Sequence, residues 1–389
     1  MAPIIALVAG EASGDLLASY LMGALRERMP DARFCGIGGP RMQAAGFDAW
    51  WPSEKLAVRG YVEVLRHYRE ITGIRALLAQ RLVANPPTLF IGVDAPDFNL
   101  DLETTLRENG IRTAHFVSPS IWAWRGDRIG KIRRAAEHML CLFPFEEPLY
   151  RNAGIPATYV GHPLADVIAE VPDRHAARAA LGISGEGPVI ALLPGSRQSE
   201  LRYLADRFVA AARLLARDRR EVRFVVPLAS AETETLWSAA VARVAPQELP
   251  LQIVPRDAHA ALAACDVALV ASGTATLEAA LFKRPMVIAY NMAGMSWQLM
   301  RRMKYQPWVG LPNILCADFV VPEFLQDAAT PENLAQALGN LLADHIMRER
   351  VSTRFAGLHA QLRQGMARRA ADVIAHQFFG EPGADGGGA

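Results

Sequence analysis

The sequence predicts an α/β fold built from two Rossmann-like, doubly wound domains that face a central cleft. Three observations predict it. Apolar runs of strand length alternate with segments of helical period almost from end to end. Those runs are continuously apolar, as expected of parallel strands covered by helices on both faces. The pattern also starts afresh after a break at 161–187, which ends in the turn-rich Gly182-Ile-Ser-Gly-Glu-Gly187. At 389 residues the chain has room for two such domains, each with its own core.

Ile4–Ala9 reads as the first buried strand, and Leu16, Leu17, Tyr20, Leu21 and Leu25 share one face of the helix after it. Further strands are expected at Arg33–Gly36, Thr88–Val93, Arg112–Val117 and His138–Leu142, with helices near Tyr61–Ala84, Leu100–Asn109 and Asp127–Ala136. In the second half, Pro188–Leu193, Val222–Pro227, Leu251–Val254, Val267–Ala271 and Pro285–Tyr290 read as strands. Helices are expected there over 198–217, 231–244, 274–282 and 330–345. The domains would then span 1–165 and 185–345. A last helix, about 348–379, belongs to no βα unit and is expected to pack back on the first domain, with 380–389 disordered.

Composition excludes several classes of function. Lys and Arg (41) nearly balance Asp and Glu (40), so the net charge of +1 argues against a general nucleic-acid binder. No apolar run approaches the ~18–20 residues that cross a bilayer. The N-terminus lacks the basic region and length of a signal peptide and runs straight into the first strand. The 4 cysteines lie far apart, which disfavours a disulfide framework or a cysteine zinc site. The expectation is a cytoplasmic, globular protein.

In doubly wound domains ligands bind at the carboxyl ends of strands, and the polar motifs fall on those loops. Gly10-Glu-Ala-Ser-Gly-Asp15 follows the first strand and opens a helix, with Gly10, Glu11 and Ser13 as candidate ligand contacts. It is not a P-loop, and the alternative is a turn capped by Ser13 or Asp15. Gly36-Ile-Gly-Gly-Pro-Arg41 misses the dinucleotide fingerprint, because Arg41 replaces the third glycine and the loop follows the second strand. Gly92-Val-Asp-Ala-Pro-Asp-Phe-Asn99 places Asp94 and Asp97 at the end of an apolar strand. An acid over an apolar-walled cleft has the raised pKa that a general base needs; otherwise Asp97 caps a helix and Asp94 holds a turn. Ser118-Pro-Ser-Ile-Trp-Ala-Trp-Arg125 offers Trp122 and Trp124 for stacking on a sugar or packing on acyl chains, unless both serve the core.

The second half has the features of an anion site. Gly195, Ser196 and Arg197 follow its first strand and open a helix, so backbone donors, helix dipole and guanidinium converge as a diphosphate cradle. Ser196 as a plain cap is the alternative. Ser272, Gly273 and Thr274 open a second helix, and Glu278 one turn on can accept two hydrogen bonds from a ribose diol, or serve the helix dipole instead. Asn313 is a lone polar side chain in an apolar loop. A D-x-D motif is absent, so a metal-chelated diphosphate is not expected.

Gly10–Asp15, Gly92–Asn99, Val117–Arg125, Leu193–Arg197 and Ser272–Glu278 together resemble the motifs of bacterial lipid-A-disaccharide synthases, in family order and over about residues 4–375. The resemblance implies a GT-B glycosyltransferase that is inverting, metal-independent and without a cofactor. It implies transfer of 2,3-diacylglucosamine from its UDP donor to 2,3-diacylglucosamine 1-phosphate, giving a β-1′,6-linked disaccharide 1-phosphate and UDP in lipopolysaccharide biosynthesis. Asp94 and Arg197 match the family's essential aspartate and arginine, and Glu278 and Asn313 match positions at the nucleotide. Acylated substrates imply a peripheral protein at the cytoplasmic face of the inner membrane, and the family allows a homodimer formed by exchange of C-terminal parts.

From chemistry alone, Asp94 is the natural base for the acceptor 6-hydroxyl, while Arg197 and the amides behind Gly195 and Ser196 neutralise the departing diphosphate. The arginines of Leu56–Ala84, Arg66 and Arg69 among them, lie among apolar residues and suit an anionic phospholipid surface; Met292–Trp308 is a second candidate. Both also read as ordinary amphipathic core helices. The rivals are a peptidoglycan-precursor N-acetylglucosaminyltransferase, a UDP-N-acetylglucosamine 2-epimerase, or a nucleotide-sugar sensor without activity.

Overall fold

The computed structural model describes residues 2–56, 61–122, 126–245, 249–292, 297 and 306–380, with the backbone alone for 61–68. The glycine-rich end beyond Gly380, Trp124 and most of Met292–Trp308 lie outside the described residues, as does the side chain of Arg66. The chain forms two compact units: one runs up to Asp166 and resumes at Leu362, the other is Val167–Gln361.

The first unit runs β1 (Ile4–Ala9), α1 (Ala12–Arg28), β2 (Arg33–Gly38), α2 (Pro40–Ala44), β3 (Asp48–Pro52), α3 (Tyr61–Ala84), β4 (Leu89–Val93) and α4 (Pro96–Glu108). It continues through β5 (Thr113–Phe116), α5 (Ile129–Ala135), β6 (His138–Cys141), α6 (Glu146–Asn152), β7 (Ala157–Tyr159) and α7 (Pro163–Val167). The seven strands form one sheet in the order β3-β2-β1-β4-β5-β6-β7, and every pairing is parallel. The continuous apolarity of β1 has a direct cause: Ile5, Leu7 and Ala9 join a core on one face with α1, while Ala6 and Val8 join another with α3 and α4. Each large aliphatic side chain so buried contributes about 1.5–3 kcal/mol.

The second unit contains α8 (Arg174–Ala180), β8 (Val189–Leu193), α9 (Gln198–Asp218), β9 (Arg223–Leu228), α10 (Ala231–Val244), β10 (Leu251–Pro255), α11 (Ala258–Ala264), β11 (Val267–Ala271) and α12 (Thr274–Leu281). It ends with β12 (Met286–Tyr290), α13 (Leu311–Cys316), β13 (Glu323–Leu325), α14 (Pro331–Ala343) and α15 (His345–Leu362). Its six strands are parallel in the order β10-β9-β8-β11-β12-β13. Helix α8, within the break at 161–187, is tied to this unit by Arg174 and Arg178, which donate to Asp266 at 2.7 and 2.6 Å.

The terminal helix read as one segment over 348–379 is two. Helix α15 ends at Leu362, and α16 (Met366–Phe379) starts after Gly365, whose φ of 66° turns the chain. Helix α16 packs in the first unit's core through Met366, Ala370, Ala371, Ile374 and Phe378. The Asp166 carboxylate accepts from the amides of Gly365 (2.9 Å) and Met366 (2.7 Å), satisfying donors that a helix start leaves open.

Candidate active site

In the second unit, the loops after β8, β9, β10 and β11 enclose a pocket of about 460 Å³. The strand order reverses between β8 and β11, the place where doubly wound sheets open a crevice. Gly195, Ser196, Arg197, Ser272, Gly273, Thr274 and Glu278 all line this pocket. A larger cavity of about 1470 Å³, lined by residues such as Phe319, Ile346 and Arg350, contains none of the residues singled out from the sequence.

The β8 loop differs from a bare amide cradle. Gly195 has φ of 119°, and a Cβ there would stand 2.4 Å from Glu200 Oε2. The Glu200 carboxylate accepts from the amides of Ser196 (2.9 Å) and Arg197 (3.2 Å). An anion of the chain itself thus occupies the donors that the sequence assigned to a diphosphate. Ser196 does not cap; Arg197 is the N-cap residue of α9, and its side chain is 67% exposed while only loosely paired with Glu200 at 3.5 Å. Glu278 accepts from His259 Nε2 at 3.4 Å, and that bond, ahead of the opposing effect of burial, raises the pKa of His259.

Sequence reasoning missed Glu200, Arg256, Asp257 and His259. Arg256 and Asp257 line the pocket, and Arg256 holds φ of 57°. The signal was available, since they follow β10 as the recognised loops follow β8 and β11. Asn313 does not line the pocket. It is fully buried, donates to Val321 O and Glu323 Oε1 at 2.8 Å each, and accepts from the amides of Val320 and Val321. Its amide is committed to its own loop.

In the first unit, Asp94 leaves β4 with φ of 54°, followed by Ala95 at 43°. Its amide donates to Phe116 O (2.8 Å) and its carbonyl accepts from Asn99 Nδ2 (2.8 Å). Burial raises the Asp94 pKa, against a downward pull from His115 and the Ala95 amide, and Glu11 adds a further upward push. Asp97, by contrast, is exposed and pairs with Arg128 at 2.5 Å. Gly10 touches the same turn, where a Cβ would lie 3.0 Å from Ala95 Cβ; Glu11 and Ser13 beside it are exposed. Neither Ser13 nor Asp15 caps α1, whose N-cap is Glu11. Asp15 instead accepts from the amides of Gly39, Arg41 and Met42, each at 3.0 Å, so the loop that resembled a dinucleotide fingerprint has its donors filled from within.

Trp122 is half-buried, edge-on to Phe145 at 5.1 Å, and donates to Glu146 Oε1 at 3.1 Å. Arg69 is exposed on α3, whose later turns bury Ile74, Leu78 and Leu82 in the core. Among the described residues no helix is long and apolar enough to cross a membrane.

Comparison with known proteins adds sequence to this geometry. The family model for "Lipid-A-disaccharide synthetase" matches residues 5–377. The chain is 58% identical over 374 residues to the lipid-A-disaccharide synthase of Aromatoleum aromaticum, covering 96% of each chain. Among solved structures it resembles a putative UDP-N-acetylglucosamine 2-epimerase from Listeria monocytogenes, with TM-score 0.64, 13% identity and 98% of each chain covered. It also resembles CalG4, the calicheamicin glycosyltransferase, with TM-score 0.59, 15% identity and 97% and 98% coverage. At such identities the likeness is one of fold, and that fold is the two-domain α/β architecture of GT-B glycosyltransferases and epimerases.

Proposed function

The chain belongs to the lipid-A-disaccharide synthetase family, and from that premise we infer that it is a hexosyltransferase joining UDP-2,3-diacylglucosamine to 2,3-diacylglucosamine 1-phosphate. The observation that carries this reading is 58% identity across 96% of both chains to a protein of that name. The epimerase rival shares the fold at 13% identity, which transfers no activity. Mass spectrometry of the product from this donor and acceptor is the test. A β-1′,6-linked disaccharide 1-phosphate with one UDP released is the expected result, and UDP-sugar turnover without disaccharide would overturn it.

In the mechanism we propose, Asp94 takes the proton from the acceptor 6-hydroxyl as its oxygen attacks the anomeric carbon. The C–O bond to UDP breaks on the opposite side, inverting that centre. Arg197 receives the departing diphosphate, and Glu200 yields the amides of Ser196 and Arg197 to it. What supports these roles is the half-buried, pKa-raised Asp94 and the exposed guanidinium at a helix start. Glu278, held by His259, would bind the ribose diol. No metal or cofactor takes part in this scheme; loss of activity on chelation, restored by magnesium, would refute it.

Acylated substrates require access to a lipid surface, so peripheral attachment to the cytoplasmic face of the inner membrane is part of the proposal, as is a homodimer. The exposed Arg69 on α3, with Arg66 three residues before it, is the proposed contact with anionic phospholipid. Flotation with anionic vesicles should weaken when both arginines are reversed in charge.

A further inference from the structure

Behind the Asp94 turn lies a pair of ionisable side chains that the mechanism above leaves unused. Gly92, two residues before Asp94, pairs in register with His115 on β5. From α4, Glu103 places Oε1 2.7 Å from His115 Nδ1, and both side chains are fully buried. A Cβ on residue 92 would stand 2.0 Å from that Glu103 oxygen, so the glycine makes room for the pair.

Such a pair is costly. Desolvating two charges costs several kcal/mol per ion before their attraction repays it, and apolar replacements of similar volume are often no worse. Here the repayment is incomplete, because Glu103 Oε2 and His115 Nε2 have no hydrogen-bond partner among the described residues. Both strands that flank the pair also leave the sheet under strain, β4 through Asp94 at φ 54° and β5 through the β-branched Val117 at φ 81°. Unsatisfied buried polar atoms beside strained strand ends mark a functional arrangement more often than a stabilising one.

We propose that Glu103 and His115 are positioning residues for Asp94: Glu103 keeps His115 as an imidazolium, and that buried positive charge keeps the Asp94 carboxylate ionised to receive the acceptor's proton. The proposal rests on the reading of Asp94 as the base. The charges agree with it. Asp94 is faced by His115 from β5, by Glu11 from the start of α1 and by the Ala95 amide. His115 is faced by Glu103, Asp94 and the Val117 backbone; burial opposes its charge, but these groups outweigh burial and raise its pKa. His115 keeps its proton throughout, and only Asp94 exchanges one.

The test is the pH profile of kcat for the wild type, Glu103→Gln, His115→Gln and the double variant, with Asp94→Asn as control and thermal melting to verify folding. Without the imidazolium a smaller fraction of Asp94 is ionised at low pH. Each variant should therefore lose about tenfold in kcat at the acid end of the profile and recover to within about threefold at the alkaline end, with the KM for the UDP donor unchanged. A uniform loss at all pH values, an unmoved acid limb, or one displaced to lower pH would overturn the proposal. Glu103→Gln keeps the side chain's shape and decides the matter if His115→Gln fails to fold. Turnover retained in Asp94→Asn would overturn the reading of Asp94 and this assignment together. An inactive Asp94→Asn beside an unmoved acid limb in Glu103→Gln would overturn this assignment alone.

Discussion

At the carboxyl end of the first sheet, polar side chains turn inward on one another. Asp15 fills the amides of the β2–α2 loop, Glu103 holds His115, and Glu146 holds Trp122. At the carboxyl end of the second sheet they line an open pocket, with Arg197 two-thirds exposed and Gly273 and Thr274 facing solvent. The two ends share a topology and differ in what their loops do with charge. On the proposal above the first would set the ionisation of a side chain, because buried charges act on each other through a low dielectric. On the mechanism proposed above the second would receive an anion, because Arg197 is exposed and the amides that Glu200 holds face solvent-accessible space where partners can exchange.

The sharpest way to break that comparison is to remove one charge from each end. Asp94→Asn should lower kcat by roughly 10²–10⁴-fold, the range of a lost general base, with UDP affinity within about twofold of wild type. Arg197→Ala should weaken UDP binding by about 10–100-fold, as expected for a lost charge-assisted hydrogen bond to phosphate, and lower kcat as well. Calorimetric titration with UDP separates them. If Asp94→Asn weakens UDP binding as much as Arg197→Ala does, the division of labour is wrong.

Glycines sharpen it further. Gly92→Ala would drive a Cβ to 2.0 Å from the buried Glu103 carboxylate and 2.9 Å from Asn99 Cβ, neither of which has space to retreat. It should lower stability by about 1–3 kcal/mol, read in a urea melt. Gly195→Ala would set its Cβ 2.4 Å from Glu200 Oε2 and 2.6 Å from Glu200 Cβ, and must hold φ near 119°. Beyond a comparable loss of stability, it should weaken UDP affinity about tenfold, since on the mechanism proposed above this loop receives the diphosphate. Equal stability losses with unchanged UDP affinity would show that the second pocket is as structural as the first.

Much of this was legible in the sequence, for reasons that can be named. The strands Ile4–Ala9 and Val267–Ala271 and the helices Tyr61–Ala84 and Ala231–Val244 fall where apolar periodicity puts them, because burial on both faces or one face leaves a clear pattern. Missed were β3, β7 and β13, all at sheet edges; two are only three residues long, too short for a period, and β3 carries Trp50 and Trp51 half-exposed. The loops of the pocket were legible because glycine, hydroxyl and arginine after a strand have few other uses. What was not legible was occupancy. That Asp15 fills the amides of Gly39, Arg41 and Met42, or that Glu103 meets His115, depends on side chains brought together from separate elements, and no local spacing records it.

Glu146 supplies the smallest predicted effect and tests whether the inward-turned charges behave as described. Burial pushes its carboxyl from 4.5 up to about 8, against hydrogen bonds from the Phe143 amide, Ser118 and Trp122 that pull it down. A carboxyl with a raised folded-state pKa stabilises the fold in its neutral form. That contribution is complete below about pH 4.5 and is lost as pH climbs toward 8, the reverse of an ordinary salt-bridged acid. The melting temperature should therefore fall more steeply between pH 6 and pH 9 in the wild type than in Glu146→Gln, which cannot ionise. The variant should also melt somewhat lower at pH 6, because both oxygens of the neutral carboxyl can accept, from Trp122 Nε1 and from the Phe143 amide, whereas an amide offers only one acceptor. Identical pH slopes in the two proteins would mean that Glu146 is already ionised in the fold, and that the first sheet's end tolerates buried charge without the compensation drawn for it above.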